Sequence, residues 1–349
     1  MKQAVMLVGK KVSIKDVASL AGVSVSTVSR VLNNGTYVTE EKRRRIMDAV
    51  AQLDFRPNYF AKSLKAGVSK IIALIVPNIN NPVYALIAQG AESVTRSQGY
   101  NLILCNTDED PSLELEHIVQ LKSRNVDGII FATARSDTHY IDELNIPMVA
   151  VMRSTMGINA VTVDNFKIGY SATEYLIKRG HRKIFIFNGD SHISSFRVRT
   201  DGYRQAMEDN GIPAQQAYEF SAPSEDADTL FRLSVEMIEH CGVPDAIFCV
   251  NWFRTIGVYG AAKKLGIRIP EDMSVMGVDD LIFNEFLHPP LTTVSQPFYE
   301  MGTKAAEILL SQISEQGKQS GPQSFMQIIM PTSIIERDSV ADKTAAAEV

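Results

Sequence analysis

The chain has 349 residues, of which 45% are hydrophobic and 21% charged, and its formal net charge is −5. This length is sufficient for two or three domains, and the composition is typical of a soluble globular protein. No apolar run approaches the roughly 18 residues that a membrane-spanning helix needs, and the opening run AVMLVG lacks a signal-peptide cleavage pattern. We therefore expect a cytoplasmic protein whose three cysteines, without CxxC spacing, are reduced thiols.

The charge is distributed unevenly along the chain. Residues 1–66 carry 12 lysines and arginines against 5 acidic residues, a net charge of +7, and the remaining residues carry −12. A small basic segment joined to a larger acidic one indicates a polyanionic partner for the N-terminal segment alone.

Residues 12–33 have the pattern of two short helices joined by a tight turn. Ser13 can cap the first helix with Asp16 as a capping-box partner, and the apolar residues that follow recur at helical spacing. Gly22 suits the turn because it has no Cβ, and Ser24 is a good N-cap for the second helix. The pattern predicts a helix-turn-helix, with two ordinary surface helices as the alternative.

The second helix has an inward and an outward face. Val28 and Val31 lie inward, which leaves the other side of the helix N-terminus free to meet base edges. Val25 can contact only a thymine methyl group or shape, Ser26 can donate or accept, and Arg30 is the strongest hydrogen-bonding reader. The DNA-contacting residues predicted here are Ser24, Val25, Ser26, Thr27, Ser29, Arg30 and Asn33.

A third helix is predicted after Thr39, over EEKRRRIMDAVAQLDF. The four cations from Lys42 to Arg45 fan around the helix, so only some of them could reach phosphate. The next segment, RPNYFAKSLKAG, has Asn58 as a cap and is too short to be a stable helix in isolation. It could fold only when DNA and a second copy of the chain order it.

From Lys70 onward, short strands rich in Val, Ile and Phe alternate with helices. Strand-like runs include SKIIALIVP, NLILCN, KIFIFNGD and DAIFCVN. Such alternation predicts parallel sheets covered on both faces, and about ten strand–helix units exceed one open sheet of ordinary size. We therefore expect two α/β subdomains.

Residues 12–67 resemble the DNA-binding head and hinge of the lactose-repressor (LacI/GalR) family. The resemblance rests on IKDVASLAGVSVSTVSRVLN, VTEEKRRRI and RPNYFAKSLKAG, which together span the whole head. It implies that two hinge helices lie in the minor groove, where Leu64 inserts into a central base step with Lys65 beside it. The hinge residues predicted to contact DNA are Asn58, Leu64 and Lys65.

The body resembles the periplasmic sugar-binding-protein fold that this family shares, in which the chain crosses between two lobes three times. The implied fold is an N-terminal all-α helix-turn-helix head plus an α/β periplasmic-binding-protein-like body of two doubly wound parallel-sheet subdomains. The implied divisions are a head over 12–56, a hinge and linker over 57–69, a body over 70–340 and a tail over 341–349. Within the body, lobe 1 would span about 70–162 and 291–325, and lobe 2 about 163–290 and 326–340.

In open α/β sheets, ligands bind beyond the carboxyl ends of the strands. The run RVRTDGY resembles the family's RxR…GY pattern, and by that resemblance Arg199 matches an effector-contacting arginine. Arg197 is equally suited to the surface or to a position between the lobes. Asp279 in GVDD matches an effector-contacting aspartate, but Asp279 or Asp280 could instead cap the next helix. The predicted effector-binding residues are Tyr84, Arg153, Arg199, Asn251, Trp252 and Asp279.

Asn251-Trp252 departs from the family's usual Asn-Asp. Trp252, the only tryptophan, replaces an acid that commonly accepts ligand hydroxyls. Its flat face could stack on a sugar, and packing between the lobes is the alternative. With Arg153 and Arg199 nearby, the cleft would be less acidic than in relatives, so we expect a sugar, sugar acid or sugar phosphate.

Global catabolite regulators of the family bind a phosphorylated carrier protein through basic residues on the helix after LTTV. In this chain that helix is FYEMGTKAAEILLSQI, with Glu307 and Ser311 at the expected positions of those bases. This difference favours a dedicated pathway repressor.

An enzyme and a transport-type binding protein are the rival interpretations. The first strand is followed by PNINNP rather than by GxGxxG or GxxxxGK[ST], and neither HExxH nor GxSxG occurs. The six histidines are scattered, so we expect no catalysis, metal or cofactor. A transport protein would have no use for a basic head.

The sequence therefore predicts a homodimeric repressor of a carbohydrate-utilisation operon, bound on the nucleoid to a palindromic operator. An effector in the inter-lobe cleft would control the order of the hinge. A non-carbohydrate effector and a corepressor-dependent or global regulator remain open, and a cytosolic solute-binding protein without regulation is a distant alternative.

Overall fold

The computed structural model describes residues 12–32, 37–55, 68–132, 146–153, 157–213, 218–223, 226–315 and 325–344. The chain divides into two compact units, Met1–Ser69 and Lys70–Val349. The predicted hinge helix lies outside the described residues, and so do four predicted DNA contacts, Asn33, Asn58, Leu64 and Lys65. No helix in the described ranges is both long enough and apolar enough to cross a membrane.

Three helices build the first unit: α1 (Ile14–Ala21), α2 (Val25–Leu32) and α3 (Glu40–Gln52). The predicted capping pair forms, because the Asp16 carboxylate accepts hydrogen bonds from the Ser13 N–H at 2.8 Å and from its hydroxyl at 2.6 Å. The helices enclose one small core in which Val17, Val28 and Ile46 are fully buried. The apolar spacing of each helix therefore produces the predicted inward face.

Two six-stranded sheets form the second unit in the described part of the chain. The first sheet contains β1 (Ile71–Val76), β2 (Asn101–Asn106), β3 (Gly128–Phe131), β4 (Met148–Val151), β5 (Asn159–Val163) and β11 (Gln327–Met330). The second contains β6 (Ile184–Asn188), β7 (Glu219–Ser221), β8 (Ala246–Cys249), β9 (Ser274–Val278), β10 (Thr292–Ser295) and β12 (Ser333–Ile335).

The two sheets share one topology. Their strand orders are β11-β5-β4-β3-β1-β2 and β12-β10-β9-β8-β6-β7. All pairings in the first sheet are parallel, and in the second only the β10–β12 pairing is antiparallel. The predicted class, a helical head with two parallel-sheet α/β subdomains, is confirmed, with one antiparallel edge strand added.

Helices connect the strands and cover the sheets. They are α4 (Pro82–Ser97), α5 (Pro111–Ser123), α6 (Asn165–Lys178), α7 (Ser194–Asp209), α8 (Ala227–Cys241), α9 (Trp252–Leu265) and α10 (Phe298–Glu315), with a short 3₁₀ helix at Ile282–Phe286. Pro82 and Pro111 each follow a side-chain N-cap, from Asn81 and Asp110 respectively. These caps explain why the helices begin where the sequence predicts them.

The predicted lobe limits at 291 and 326 are wrong by one strand each. Thr292 pairs with Met276, so β10 belongs to the second sheet rather than to lobe 1. Gln327 pairs with Ala160, so β11 belongs to the first sheet rather than to lobe 2. The chain therefore returns to lobe 1 after β10 and leaves it again after β11. A short strand's own sequence does not specify which sheet edge it joins, because that choice depends on distant backbone.

The C-terminal segment is docked through Thr344, although the polar run DSVADKTAAAEV, which includes the tail assigned to 341–349, predicts a frayed end. The Ala341 N–H donates to the Ser274 hydroxyl at 3.0 Å, and the Lys343 N–H donates to the Arg179 carbonyl at 2.8 Å. Asp164 caps α6 by accepting from the Lys167 N–H at 2.9 Å. Backbone hydrogen bonds thus hold a polar segment that has no apolar periodicity of its own.

Candidate functional site

The outer face of α2 displays short polar side chains beside one apolar residue. Val25 is 40% exposed, and Ser24, Ser26 and Arg30 are also exposed. The Ser24 oxygen lies 2.8 Å from the hydroxyl oxygens of Ser26 and Thr27 and accepts from the Thr27 N–H at 3.3 Å. Ser24 therefore caps the helix, and the N-terminus of α2 presents a cluster of hydroxyl groups and one valine.

The turn between α1 and α2 is held from α3. The Arg45 guanidinium donates to the carbonyls of Ala21 and Gly22 at 2.5 and 3.3 Å. Gly22 has φ +63°, a conformation that favours glycine, and a Cβ there would lie 2.7 Å from Arg45. Arg45, one of the four cations from Lys42 to Arg45, therefore stabilises the turn between α1 and α2. The sequence did not predict this role.

A small cavity lies between the two lobes of the body and has a volume of about 40 Å³. Such a volume admits only a few water molecules. Five of the six predicted effector residues line it: Tyr84, Arg153, Arg199, Asn251 and Asp279. They come from loops and helix starts beyond the carboxyl ends of strands in both sheets, as the fold requires.

Arg199 and Asp279 form the charged floor of this cavity. Arg199 is 3% exposed and donates to the Val250 carbonyl at 2.5 Å and to the Asn165 side chain at 3.0 Å. Burial lowers the pKa of Arg199, and the neighbouring Asp279 opposes that shift. Burial likewise raises the pKa of Asp279, and Arg199 opposes it. Each charge is therefore tolerated in the interior partly because the other is present.

Asp279 is held in a strained conformation. Its φ is +81°, in the left-handed region that non-glycine residues rarely adopt. Its carboxylate accepts from the Gln296 amide at 2.7 Å and its carbonyl accepts from the Asn284 amide at 2.8 Å. No side-chain cap is present on the 3₁₀ helix that follows, so the alternative capping role for Asp279 or Asp280 is wrong. Strain that the surroundings enforce is typical of functional sites.

Arg153 is paired within its own lobe. Its two terminal nitrogens donate to the two Glu109 oxygens, each at 3.1 Å, in a bidentate ion pair. Arg197, by contrast, is exposed, whereas Arg199 two residues later is buried. Of the two positions left open for Arg197, the structure shows the surface one.

Trp252 lines neither this cavity nor the larger one described below. Its ring packs beside Phe253 and Phe283, with centroids 5.7 and 6.0 Å away, against the partly exposed 3₁₀ helix. Both ring contacts lie within the lobe that contains Trp252, and stacking on a ligand stays a prediction for this residue.

A larger cavity of about 370 Å³ adjoins the first and shares Glu109 and Phe196 with it. That volume lies within the range of small-molecule sites. Residues of both lobes line it: Asn78, Asn80, Asp108, Glu109, Asp190, His192, Ile193, Phe196, Pro223 and Arg254. Sequence reasoning recognised the loops that contain most of these residues but selected none of them.

Arg254 is the least foreseeable member of this cavity. It is 1% exposed and donates to the carbonyls of Asn188 and Ala222 at 2.7 and 2.6 Å and to the Asn251 side chain at 3.0 Å. Asn251 also caps α9 through the Arg254 N–H at 3.2 Å, so its amide oxygen has a structural role at the cavity wall. In the sequence, the one indication of this arrangement is an arginine three residues after the asparagine that follows strand β8.

Among the described residues, no group of three or more histidine, cysteine or acidic side chains is arranged to hold a metal ion. The residues that line the two cavities offer hydrogen bonds, charge and apolar surface.

Two family models match this chain. The model described as bacterial regulatory proteins of the lacI family matches residues 13–58. The model described as periplasmic binding proteins and sugar binding domain of the LacI family matches residues 69–332.

Individual relatives agree with these matches. The HTH-type transcriptional repressor PurR of Haemophilus influenzae is 34% identical over 94% of this chain and 98% of its own. The ribose operon repressor of Bacillus subtilis is 34% identical over 93% and 97%. The crystal structure of the Lac repressor dimer bound to operator and an anti-inducer aligns with a TM-score of 0.82 and 25% identity, over 95% and 100%.

Proposed function

Because the chain belongs to the LacI family of DNA-binding transcriptional regulators, whose relatives are repressors rather than enzymes, we propose that it represses a carbohydrate-utilisation operon. A small molecule bound between the lobes of the body controls that repression. The proposal rests on one observation. Two adjoining cavities lie between the lobes and are lined by residues that follow strands of both sheets, and the same chain carries a helix-turn-helix.

The operator is read by the exposed face of α2. Val25 meets a thymine methyl group or the local shape, Ser26 donates to or accepts from a base edge, and Arg30 supplies the strongest base contact. Contacts to phosphate position the helix without reading sequence. The residues proposed for phosphate are Ser24, Thr27 and Asn33, Ser29 is a further proposed DNA contact of α2, and those proposed for the minor groove are Asn58, Leu64 and Lys65.

The active form is a homodimer on a palindromic operator, with half-sites spaced to match the two-fold axis. The 3₁₀ helix of the body supports this, because Ile282, Phe283 and Phe286 are 72%, 51% and 71% exposed. Adjacent exposed apolar side chains of this size are typical of a protein interface. A self-complementary contact between two copies would cover them.

Regulation follows from the size of the closed cavity. The cavity of about 40 Å³ beside Arg199 and Asp279 holds only a few water molecules, so a ligand that extends from the larger cavity to these two side chains changes the angle between the lobes. A change in that angle alters the separation of the two hinge segments in the dimer. Short hinge helices that cannot meet lose their partner, and affinity for the operator falls.

The regulator serves one pathway. At the positions where a global catabolite regulator would need basic residues, α10 has Glu307, which pairs with Lys304 at 3.0 Å, and Ser311. The similarity to PurR keeps a non-carbohydrate effector as the second candidate, whereas the similarity to a ribose operon repressor favours a carbohydrate.

The test combines calorimetry with a mobility-shift assay on the full-length protein. Neutral sugars, sugar acids, sugar phosphates and purines are titrated, and each is then added to complexes with the DNA upstream of the chain's own gene. We expect one carbohydrate to bind and to change operator affinity, and Arg199→Ala to abolish its binding while operator binding remains. Leu64→Ala should lose operator affinity and keep effector binding.

Binding of purines alone would contradict the carbohydrate assignment. Failure to bind any upstream or selected palindromic duplex would contradict repression itself. Unchanged operator affinity in Leu64→Ala would refute the minor-groove role of the hinge.

A further inference from the structure

The ring of Phe196 is the apolar wall common to both inter-lobe cavities. Phe196 lies in the first turn of α7, three residues before the buried Arg199, and is 6% exposed. A ligand in either cavity would therefore lie beside this ring. No comparable aromatic ring lines both cavities among the described residues.

Two neighbours fix the position of this ring. A Cβ built on Gly189 would lie 2.1 Å from the Phe196 ring, so only glycine lets the ring pack this closely on the loop after β6. On another side, the Arg254 guanidinium lies 5.0 Å from the ring centroid, within the range of a cation–π contact. Arg254 is itself anchored to three loops by its hydrogen bonds, so the ring is backed by a rigid support.

The charges around the larger cavity favour an uncharged ligand. Asp108 and Glu109 from lobe 1 and Asp190 from lobe 2 contribute carboxylates to its lining, and Arg254 is its only arginine or lysine. The Arg254 donors already engage the Asn188 and Ala222 carbonyls and the Asn251 side chain. A phosphate or carboxylate that entered would be desolvated beside like charges.

The cations of the smaller cavity are engaged in the same way. Arg153 forms its bidentate pair with Glu109, and Arg199 donates to Val250 and Asn165 and faces the charge of Asp279. An anionic ligand would therefore have to displace existing partners. The carboxylates of the larger cavity also have partners: Asp108 accepts from the Asn106 amide at 2.7 Å, and Asp190 accepts from the His192 N–H at 2.9 Å. A carboxylate has about four acceptor positions, so it can accept a further hydrogen bond from a ligand hydroxyl without losing the first.

We propose that Phe196 is the stacking residue of the effector site, and that it selects an uncharged ring compound bearing several hydroxyl groups. One face of that compound packs on Phe196, and its hydroxyls donate to Asp108, Glu109 and Asp190. This inference rests on the proposed function and narrows its ligand from sugars, sugar acids and sugar phosphates to neutral sugars. It also assigns to Phe196 the role that the sequence suggested for Trp252.

The test is calorimetry on full-length wild type, Phe196→Leu, Phe196→Tyr and Trp252→Leu. The panel contains neutral pentoses, hexoses and disaccharides, their acid and phosphate forms, and adenine. We expect a neutral sugar to bind wild type, with its anionic counterparts at least tenfold weaker. Loss of aromatic stacking in Phe196→Leu should weaken that sugar about tenfold, whereas Phe196→Tyr and Trp252→Leu should remain within about twofold of wild type.

Thermal unfolding of each variant checks that the body remains folded at the assay temperature, and Phe196→Tyr keeps the test informative if the leucine variant is unstable. A sugar phosphate or sugar acid that binds more tightly than its neutral form would overturn the inference while leaving the carbohydrate repressor intact. Equal affinities in Phe196→Leu and wild type would also overturn it. Adenine as the sole ligand would instead contradict the proposed function itself.

Discussion

The head and the cleft use arginine in opposite ways. In the head, Arg30 is exposed on the recognition helix, and Arg45 reaches across the surface to two carbonyls of the turn. In the cleft, Arg199 and Arg254 are 3% and 1% exposed and are surrounded by hydrogen-bond acceptors. A cation in the head remains available to a polyanion, whereas a cation in the cleft is part of the framework.

This difference has a physical cause. An exposed guanidinium remains hydrated and can exchange water for phosphate with little penalty. A buried guanidinium has lost its water and must be satisfied by fixed protein acceptors at all times, with or without a ligand. A count of arginines near a cleft therefore says little about whether the cleft binds anions.

The largest expected effect is that of Arg254→Met. The substitution leaves the Asn188 and Ala222 carbonyls and the Asn251 side chain without this donor, so the free energy of unfolding should fall by about 3–5 kcal/mol. Urea denaturation of the full-length protein measures it. The matched control is the exposed Arg197→Met, which should change stability by less than about 0.5 kcal/mol. Similar losses in both variants would erase the contrast between buried and exposed arginines.

Gly22→Ala should be the next largest effect and should be confined to the head. Alanine at φ +63° is strained by about 1–2 kcal/mol, and its Cβ would also press on Arg45. Hydrogen exchange of α1 and α2 in the full-length protein should accelerate, and operator affinity should fall. Gly211→Ala is the control, because Gly211 has φ +69° in the body with no atom within 4 Å of its Cβ. If that variant weakened operator binding equally, the effect could not be assigned to the turn.

Arg45→Gln should weaken operator binding about fivefold, because a charged donor to two turn carbonyls contributes about 1 kcal/mol. The dependence of affinity on salt should keep its slope, since Arg45 supports the turn rather than a phosphate. Arg44→Gln, an exposed neighbour in the same run, is the comparison. If Arg44 contacts phosphate, its removal lowers the salt slope by about 1. A reduced slope in Arg45→Gln would show that this arginine reads the DNA backbone after all.

The smallest expected effect is the contribution of His181 to the pH dependence of stability. Protonation of this one side chain leaves the packing of the body in place. The Nδ1 atom of buried His181 lies 2.9 Å from the Leu176 carbonyl, and because a carbonyl can only accept, Nδ1 donates. In the neutral ring Nε2 is then the acceptor, and the Ser274 hydroxyl donates to it at 2.8 Å. Burial lowers the pKa of His181 from its usual 6.5. The unfolded chain therefore takes up this proton first, and body stability should decline as pH falls below about 6.5 and level off under the folded pKa.

Urea denaturation at several pH values measures this decline. His181→Gln should lose that part of the pH dependence while retaining the contributions of the other groups. An unchanged profile in the variant would mean that His181 does not control it.

Local sequence was sufficient for the head and for the alternation of the body. The Ser13–Asp16 capping pair, the left-handed turn at Gly22 and the inward face of α2 each depend on residues within a few positions of one another. The strand NLILCN occupies its predicted residues, because a short apolar run between turn residues can pair with little local ambiguity.

For the cleft, the sequence predicted that ligands bind at loops beyond the carboxyl ends of the strands, but not which side chains of those loops come together. Arg199 and Asp279 were found because a resemblance supplied them, and the structure places both at the cavity. Phe196 and Arg254 were missed because nothing near them in sequence shows that Gly189, Ala222 and Asn251 converge on them.

By itself, the sequence determined where the elements lie, how the head folds and which family the chain resembles, since caps, turns and periodicity act over a few residues. The tertiary structure alone decided that β10 joins the second sheet and β11 the first. It also decided that the segment through Thr344 docks on the body, and that Arg45, Arg153 and Arg254 already donate hydrogen bonds to other residues of the chain. These outcomes depend on contacts between residues far apart in the chain. Such contacts exist only once the backbone has brought those residues together.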